Sequence, residues 1–139
     1  MTDAAYSKAD LQALIDGSPF TASLGFVVSD VNPEAGQVTV IANPVPNAQR
    51  MENTDQFHGG VLAALIDLAG DLAVAQALGG PVPTIDLKVD YLRPAAGEIR
   101  AVATARKIGR TVSTADVDVL NRDGKLCALG RAIYASKIG

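Results

Sequence analysis

Two groups of residues in this chain have the types and spacing for chemistry. His58-Gly59-Gly60 stands where a loop-like segment gives way to a long apolar stretch, and Asp67 and Asp71 lie inside that stretch. If the stretch is a helix, its opening N–H groups lack intrahelical partners and the macrodipole behind them favours negative charge. A carbonyl oxygen resting on such amides is drawn toward a tetrahedral oxyanion, the electrostatic half of acyl transfer. Two glycines let a substrate come close to the backbone. A carboxylate within reach would supply the other half, as nucleophile or general base.

Turning about 100° per residue from Asp67 puts Gly60, Ala63, Ala64, Gly70, Asp71 and Val74 within about 60° of it. Val61, Leu62, Leu65, Leu68 and Leu72 collect opposite, a bulky stripe expected on the concave face of a sheet. The small face must meet something else, such as another backbone or a thin ligand, and a carboxylate there is solvated, hydrogen-bonded or put to use. Asp71 stands one turn beyond Asp67; the pair repels, which would raise one pKa, but we favour a structural role for Asp71, solvated or salt-bridged. If both are helical, His58 and Asp67 lie roughly 13.5 Å apart along the axis and about 180° apart around it. One chain cannot set both on one carbonyl. The pair can act together only across two subunits, and two-fold packing can bring one helix's start to the other's middle.

The elements that would position these residues read as follows. Ser7 and Asp10 cap a short helix carrying Leu11, Leu14 and Ile15 and ending at Gly17. Residues 20–31 and 36–42 look extended and form a hairpin about the turn at 32–36. Residues 43–57 lose periodicity, a long loop for a compact domain and therefore a functional candidate. After the helix, residues 84–92 alternate, with Ile85, Leu87, Val89 and Tyr91 on one face and Asp86, Lys88 and Asp90 on the other. Residues 98–108, 111–120 and 125–134 continue as a meander. The expected architecture is α+β: one antiparallel sheet of about five or six strands around a long central helix, with a short N-terminal helix.

The whole-chain numbers agree with one globular domain over residues 1–139. The chain carries 12 Lys+Arg against 15 Asp+Glu and is 48% hydrophobic, enough to bury a core and the wrong charge for gripping nucleic acid. A lone His58 and a lone Cys127 make no zinc site, and Cys127 alternates with apolar residues as a core position. The polar amino terminus is not followed by an apolar run, so we expect no secretory signal and a cytoplasmic protein. Asp67, Asp71 and Gln76 interrupt the apolar run at 61–78, which argues against a membrane span.

The stretch His58-Gly59-Gly60-Val61-Leu62-Ala63-Ala64-Leu65-Ile66-Asp67-Leu68-Ala69 resembles the hotdog-fold acyl-CoA thioesterases of the phenylacetate-degradation type. The likeness extends through residues 83–94, Lys107-Ile108-Gly109-Arg110 and residues 123–126. It implies a homodimer, or a tetramer of such dimers, that hydrolyses an acyl-coenzyme A thioester at subunit interfaces with neither metal nor cofactor. In matching positions Asp67 would be the nucleophile or general base, Gly59 the main oxyanion amide with Gly60 beside it, and His58 a positioning residue. Thr84 falls where the family often has a hydroxyl that orients water. Lys107, Gly109, Arg110 and Thr111 match the turn that holds the coenzyme. The family's asparagine six residues before the histidine is Glu52 here; its neighbour Asn53 is expected to take that place. Two rivals share the scaffold. A hydratase or dehydratase would want a histidine in an acid/base pair at its own spacing, and a non-catalytic acyl-coenzyme A-binding dimer needs only the cleft.

Overall fold

The computed structural model describes residues 5–137, so the amino-terminal reading falls almost wholly outside the described residues. Helix α1 (Lys8–Asp16) starts as its sequence dictates. Ser7 Oγ accepts from the Asp10 N–H, the Asp10 carboxylate accepts from the Ser7 N–H, and Leu11 and Ile15 are buried. The next segment corrects the expectation of a strand from residue 20. Pro19–Ser23 form a short helix, α2, and the strand begins only at Val27. A proline in the first turn favours the helix, and the Thr21 hydroxyl donates to the Ile15 carbonyl at 2.7 Å, folding α2 back on α1.

Strands β1 (Val27–Asn32) and β2 (Gln37–Ala42) form the expected hairpin. The segment at 43–57 is more ordered than a loop. A 3₁₀ turn at Pro46–Ala48 leads into a narrow hairpin, with Gln49 bridged to Phe57 and the Arg50 N–H donating to the Gln56 carbonyl at 2.9 Å. Helix α3 (Gly59–Leu78) ends at Gly79, whose φ of +83° only a residue without a side chain takes easily. It is followed by β3 (Thr84–Tyr91), β4 (Ile99–Ile108), β5 (Val112–Leu120) and β6 (Leu126–Ala135).

All six strands join one antiparallel sheet in the order β1-β2-β4-β5-β6-β3. Only β4, β5 and β6 are a meander; the chain leaves β3 at one edge and crosses to β4 in the middle. The sheet curls around α3. Val38 and Val40, Ile99, Ala101 and Ala103, and Val117 and Val119 bury against Leu62, Leu65, Ile66 and Ala69. By length and composition α3 would be apolar enough to cross a membrane, but here it is the core of the sheet.

The helix-wheel picture needs two corrections. Part of the small face is already occupied: Val74 packs with Tyr134 and Ala132 of β6, and a Cβ on Gly70 would collide with the Tyr134 hydroxyl. Leu68, assigned to the sheet-facing stripe, is half-buried and lines a groove beneath α1 and α2 instead. The wheel gives angles, but the two short helices determine which angle is covered.

Candidate active site

At the start of α3 the amide donors can be accounted for one by one. His58 is the N-cap, and its Nδ1 accepts the Gly60 N–H at 2.9 Å. Its carbonyl accepts from Val61 and Leu62 at 3.0 and 3.3 Å. Of the first four N–H groups of the helix, only that of Gly59 has no acceptor among the described residues. The expectation of two polarising amides thus narrows to one, because the histidine ring has taken the other. With Nδ1 as acceptor, the neutral ring carries its proton on Nε2. The His58 N–H donates to the Ala48 carbonyl at 2.8 Å, which ties the loop to the helix start.

Further along the helix, Asp67 Oδ1 accepts from the Thr84 hydroxyl at 2.7 Å, and the Asp67 backbone carbonyl accepts from the Tyr134 hydroxyl at 2.7 Å. Side chain and backbone of Asp67 are therefore fixed separately. Burial, then the negative charges of Asp67 and Asp71, push the Tyr134 phenol well above its usual range, so it remains a donor. Asp71 makes no salt bridge among the described residues. It is half-buried, its Oδ1 accepts from the Val82 N–H at 3.1 Å, and burial with a smaller push from Asp67 lifts its pKa to about 7. That bond secures the segment between α3 and β3, in keeping with a structural task.

Edge strand β3 connects the two ends of the site. Thr84 pairs with Tyr134, but Asp86 pairs with Ile133, so Ile85 is one extra residue, a bulge. Strict alternation would put Thr84 and Tyr91, seven residues apart, on opposite faces. The bulge brings both to the helix side: Thr84 meets Asp67, and the Tyr91 hydroxyl donates to the Gly59 carbonyl at 2.7 Å. Ile85, expected to share a face with Leu87, Val89 and Tyr91, is 58% exposed as a result. Tyr91 and Tyr134 went unnoticed as site residues because each reads as one more apolar position in an alternating strand.

None of the other expected site residues hydrogen-bonds to Gly59 or Asp67 among the described residues. Asn53 sits at the exposed tip of the 49–57 hairpin with φ 59°, a turn conformation asparagine tolerates. Glu52 is exposed on the same tip. Lys107, Arg110 and Thr111 are exposed at the β4–β5 turn, while Gly109 donates its N–H to Ser113 Oγ at 3.2 Å. Ser113 pairs with Tyr134, which pairs with Thr84, so this turn and Asp67 share one end of the sheet. No group of three metal-ligating side chains occurs among the described residues.

Six antiparallel strands curled around one long helix define the hotdog class. Residues 56–128, just over half of the chain, match the Thioesterase superfamily, and the chain belongs to that family. A Halobacterium salinarum protein that bears an esterase name is 36% identical over 126 residues, covering 85% of this chain and 80% of that one. The medium/long-chain acyl-CoA thioesterase YigI of Escherichia coli is 29% identical, covering 84% of each. The phenylacetic acid degradation protein PaaI of Thermus thermophilus, solved as a mutant, superposes with a TM-score of 0.73 at 30% identity, over 86% of this chain and all of that one. The chain is a thioester hydrolase of the hotdog fold.

Proposed function

We propose that this protein hydrolyses acyl-coenzyme A at a site built from two copies of the chain. One copy gives the Gly59 amide, and its partner gives Asp67 held by Thr84. The observation that carries this reading is the separation of the two groups within one chain, bridged by an exposed edge. Gly59 and Asp67 are eight helical residues apart, about 12 Å along the axis. Strand β3 touches Asp67 at its Thr84 end and Gly59 at its Tyr91 end, and one of its edges has no partner strand among the described residues. Antiparallel pairing of β3 with a second β3 sets the Thr84 end of one beside the Tyr91 end of the other. Asp67 of one copy then faces Gly59 of the other, twice per dimer. The half-exposed Tyr91 and Leu92 and the exposed Ile85 are apolar surface for such an interface.

In this arrangement the thioester oxygen rests on the Gly59 N–H. Asp67 either attacks the carbonyl carbon directly or takes a proton from the water that does. The tetrahedral oxyanion collapses and the carbon–sulfur bond breaks. In the general-base route the free acid forms at once and the proton held by Asp67 passes to the thiolate. In the direct route the product is a mixed anhydride with Asp67, which a water molecule then hydrolyses to the free acid while supplying the thiolate's proton and restoring the carboxylate. Thr84 keeps the carboxylate aimed, and His58 leaves Gly59 as the open donor. The Lys107–Thr111 turn offers positive charge for the coenzyme on the Asp67 end of the sheet. Tetramers would pair such dimers, and the lone buried Cys127 suits a reducing cytoplasm. A hydratase is less well served, since the chain's one histidine spends Nδ1 on its own helix.

The test is a panel of acyl-coenzyme A esters with free thiol detected. The wild-type chain should turn over at least one of them. Asp67→Asn, which still accepts from Thr84, should lose about 10²–10⁴ in kcat while keeping its fold. Undiminished turnover by that variant would refute the assignment.

A further inference from the structure

Beside Asp67 a groove of about 490 Å³ runs between the α1–α2 pair and α3. Its walls include Leu14 and Phe20 on one side and Leu68 and Leu72 on the other, with Asp67 and Asp71 on the helix floor. The volume is in the range of small-ligand pockets. Leu11 and Ile15 of α1 bury in the core, and Thr21 and Gln12 tie the two short helices down further: Gln12 bonds the backbone of Phe26 and Val28 on the way into β1. The wall is therefore held rather than loose. Phe20, at 60% exposure, is a large ring left at the groove's rim.

Resting on the reading of Asp67 given above, we propose that this groove receives the acyl chain of the thioester, and that Asp71 within it bars acyl groups ending in a carboxylate. The groove opens at the very side chain that acts on the carbonyl, so the acyl portion of a substrate poised there has the apolar walls next to it. An aliphatic or aromatic acyl group exchanges water for leucine and phenylalanine surface. No basic side chain is among the lining residues. An anionic chain end would meet two carboxylates and no cation, and burial strips away the water that would screen the repulsion. Asp71 lies one helical turn from Asp67, so it confronts the part of the acyl group a few carbons beyond the carbonyl.

The experiment compares acetyl-, hexanoyl-, octanoyl- and glutaryl-coenzyme A on the full chain at about pH 8, above the value near 7 to which burial lifts Asp71. The wild type should favour hexanoyl over glutaryl in kcat/KM. Asp71→Asn, whose amide oxygen still accepts from Val82, should narrow that preference about tenfold, whereas a merely structural change would scale both esters together. Leu14→Trp, filling the groove, should lower kcat/KM for octanoyl relative to acetyl by about tenfold. If Leu14→Trp does not fold, Phe20→Ala at its exposed position must shift the same ratio. Unmoved ratios in the folded variants, or a wild-type preference for glutaryl, overturn the proposal while leaving hydrolysis at Asp67 standing. If the wild type hydrolyses none of the four, the failure lies with the function itself.

Discussion

At the scale of single residues, the helix start is a matter of which N–H is left over. His58 caps Gly60 with its ring and Val61 and Leu62 with its carbonyl, which isolates the Gly59 donor. Proline can remove that donor selectively. Position 59 is the first helical residue, where proline is tolerated, and His58 at φ −64° and ψ 138° already has the extended backbone proline demands of its predecessor. A Cβ there meets the Tyr91 ring at an ordinary 3.6 Å. Gly59→Pro should therefore keep its circular dichroism and lose about 10²–10³ in kcat. Asp71 gives a second prediction at this scale. The unfolded chain releases this proton near 3.8, whereas the native state keeps it to about 7, so in that window the native state binds more protons. The Asp71 contribution to stability thus falls as pH rises through the window, and the penalty is complete above it. Asp71→Asn should raise stability by about 1–3 kcal/mol at pH 8 and change little below pH 4, as thermal melts across pH will register.

At the scale of elements, β6 and α3 touch where Gly70 leaves room for Tyr134. Gly70→Ala should cost about 1–3 kcal/mol by forcing the phenol off the Asp67 carbonyl, and adding Tyr134→Phe should recover part of the lost melting temperature. An unchanged melt for Gly70→Ala would show that the contact is slack. Much of this level was legible beforehand. The α1 cap, the β1–β2 turn and the long helix each follow from local chemistry that nothing overrides. The short helix α2 was not, because Phe20 and Thr21 favour strands and only the contact with α1 turns them. Nor was the bulge at Ile85, since a ladder's register depends on a partner strand far along the chain. It is this bulge that puts Thr84 on the same side as Asp67, so the threonine's place could be guessed from a resemblance but not from alternation.

At the scale of the whole molecule, the curled sheet has two edge strands, β1 and β3, and in the two-chain reading the two ends of β3 carry the two proposed halves of the chemistry. Spacing along the helix was enough to show that Gly59 and Asp67 could not meet within one chain. It could not show which surface would join the copies in that reading, since the proposal of β3 rests on its being drawn to the edge beside β6 rather than staying next to β4. Nor could it show that the Asn53 loop folds into a narrow hairpin with Asn53 in a left-handed conformation at its exposed tip.

The central claim, two chains to each site, is tested most directly by co-producing Asp67→Asn with Gly59→Pro. Each variant alone should be nearly inactive. Random pairing makes half of the dimers mixed, and each mixed dimer has one intact site and one doubly damaged one, so the mixture should recover about a quarter of wild-type activity. Activity no higher than that of the parents, in a sample where mixed dimers are verified by mass, would contradict the account.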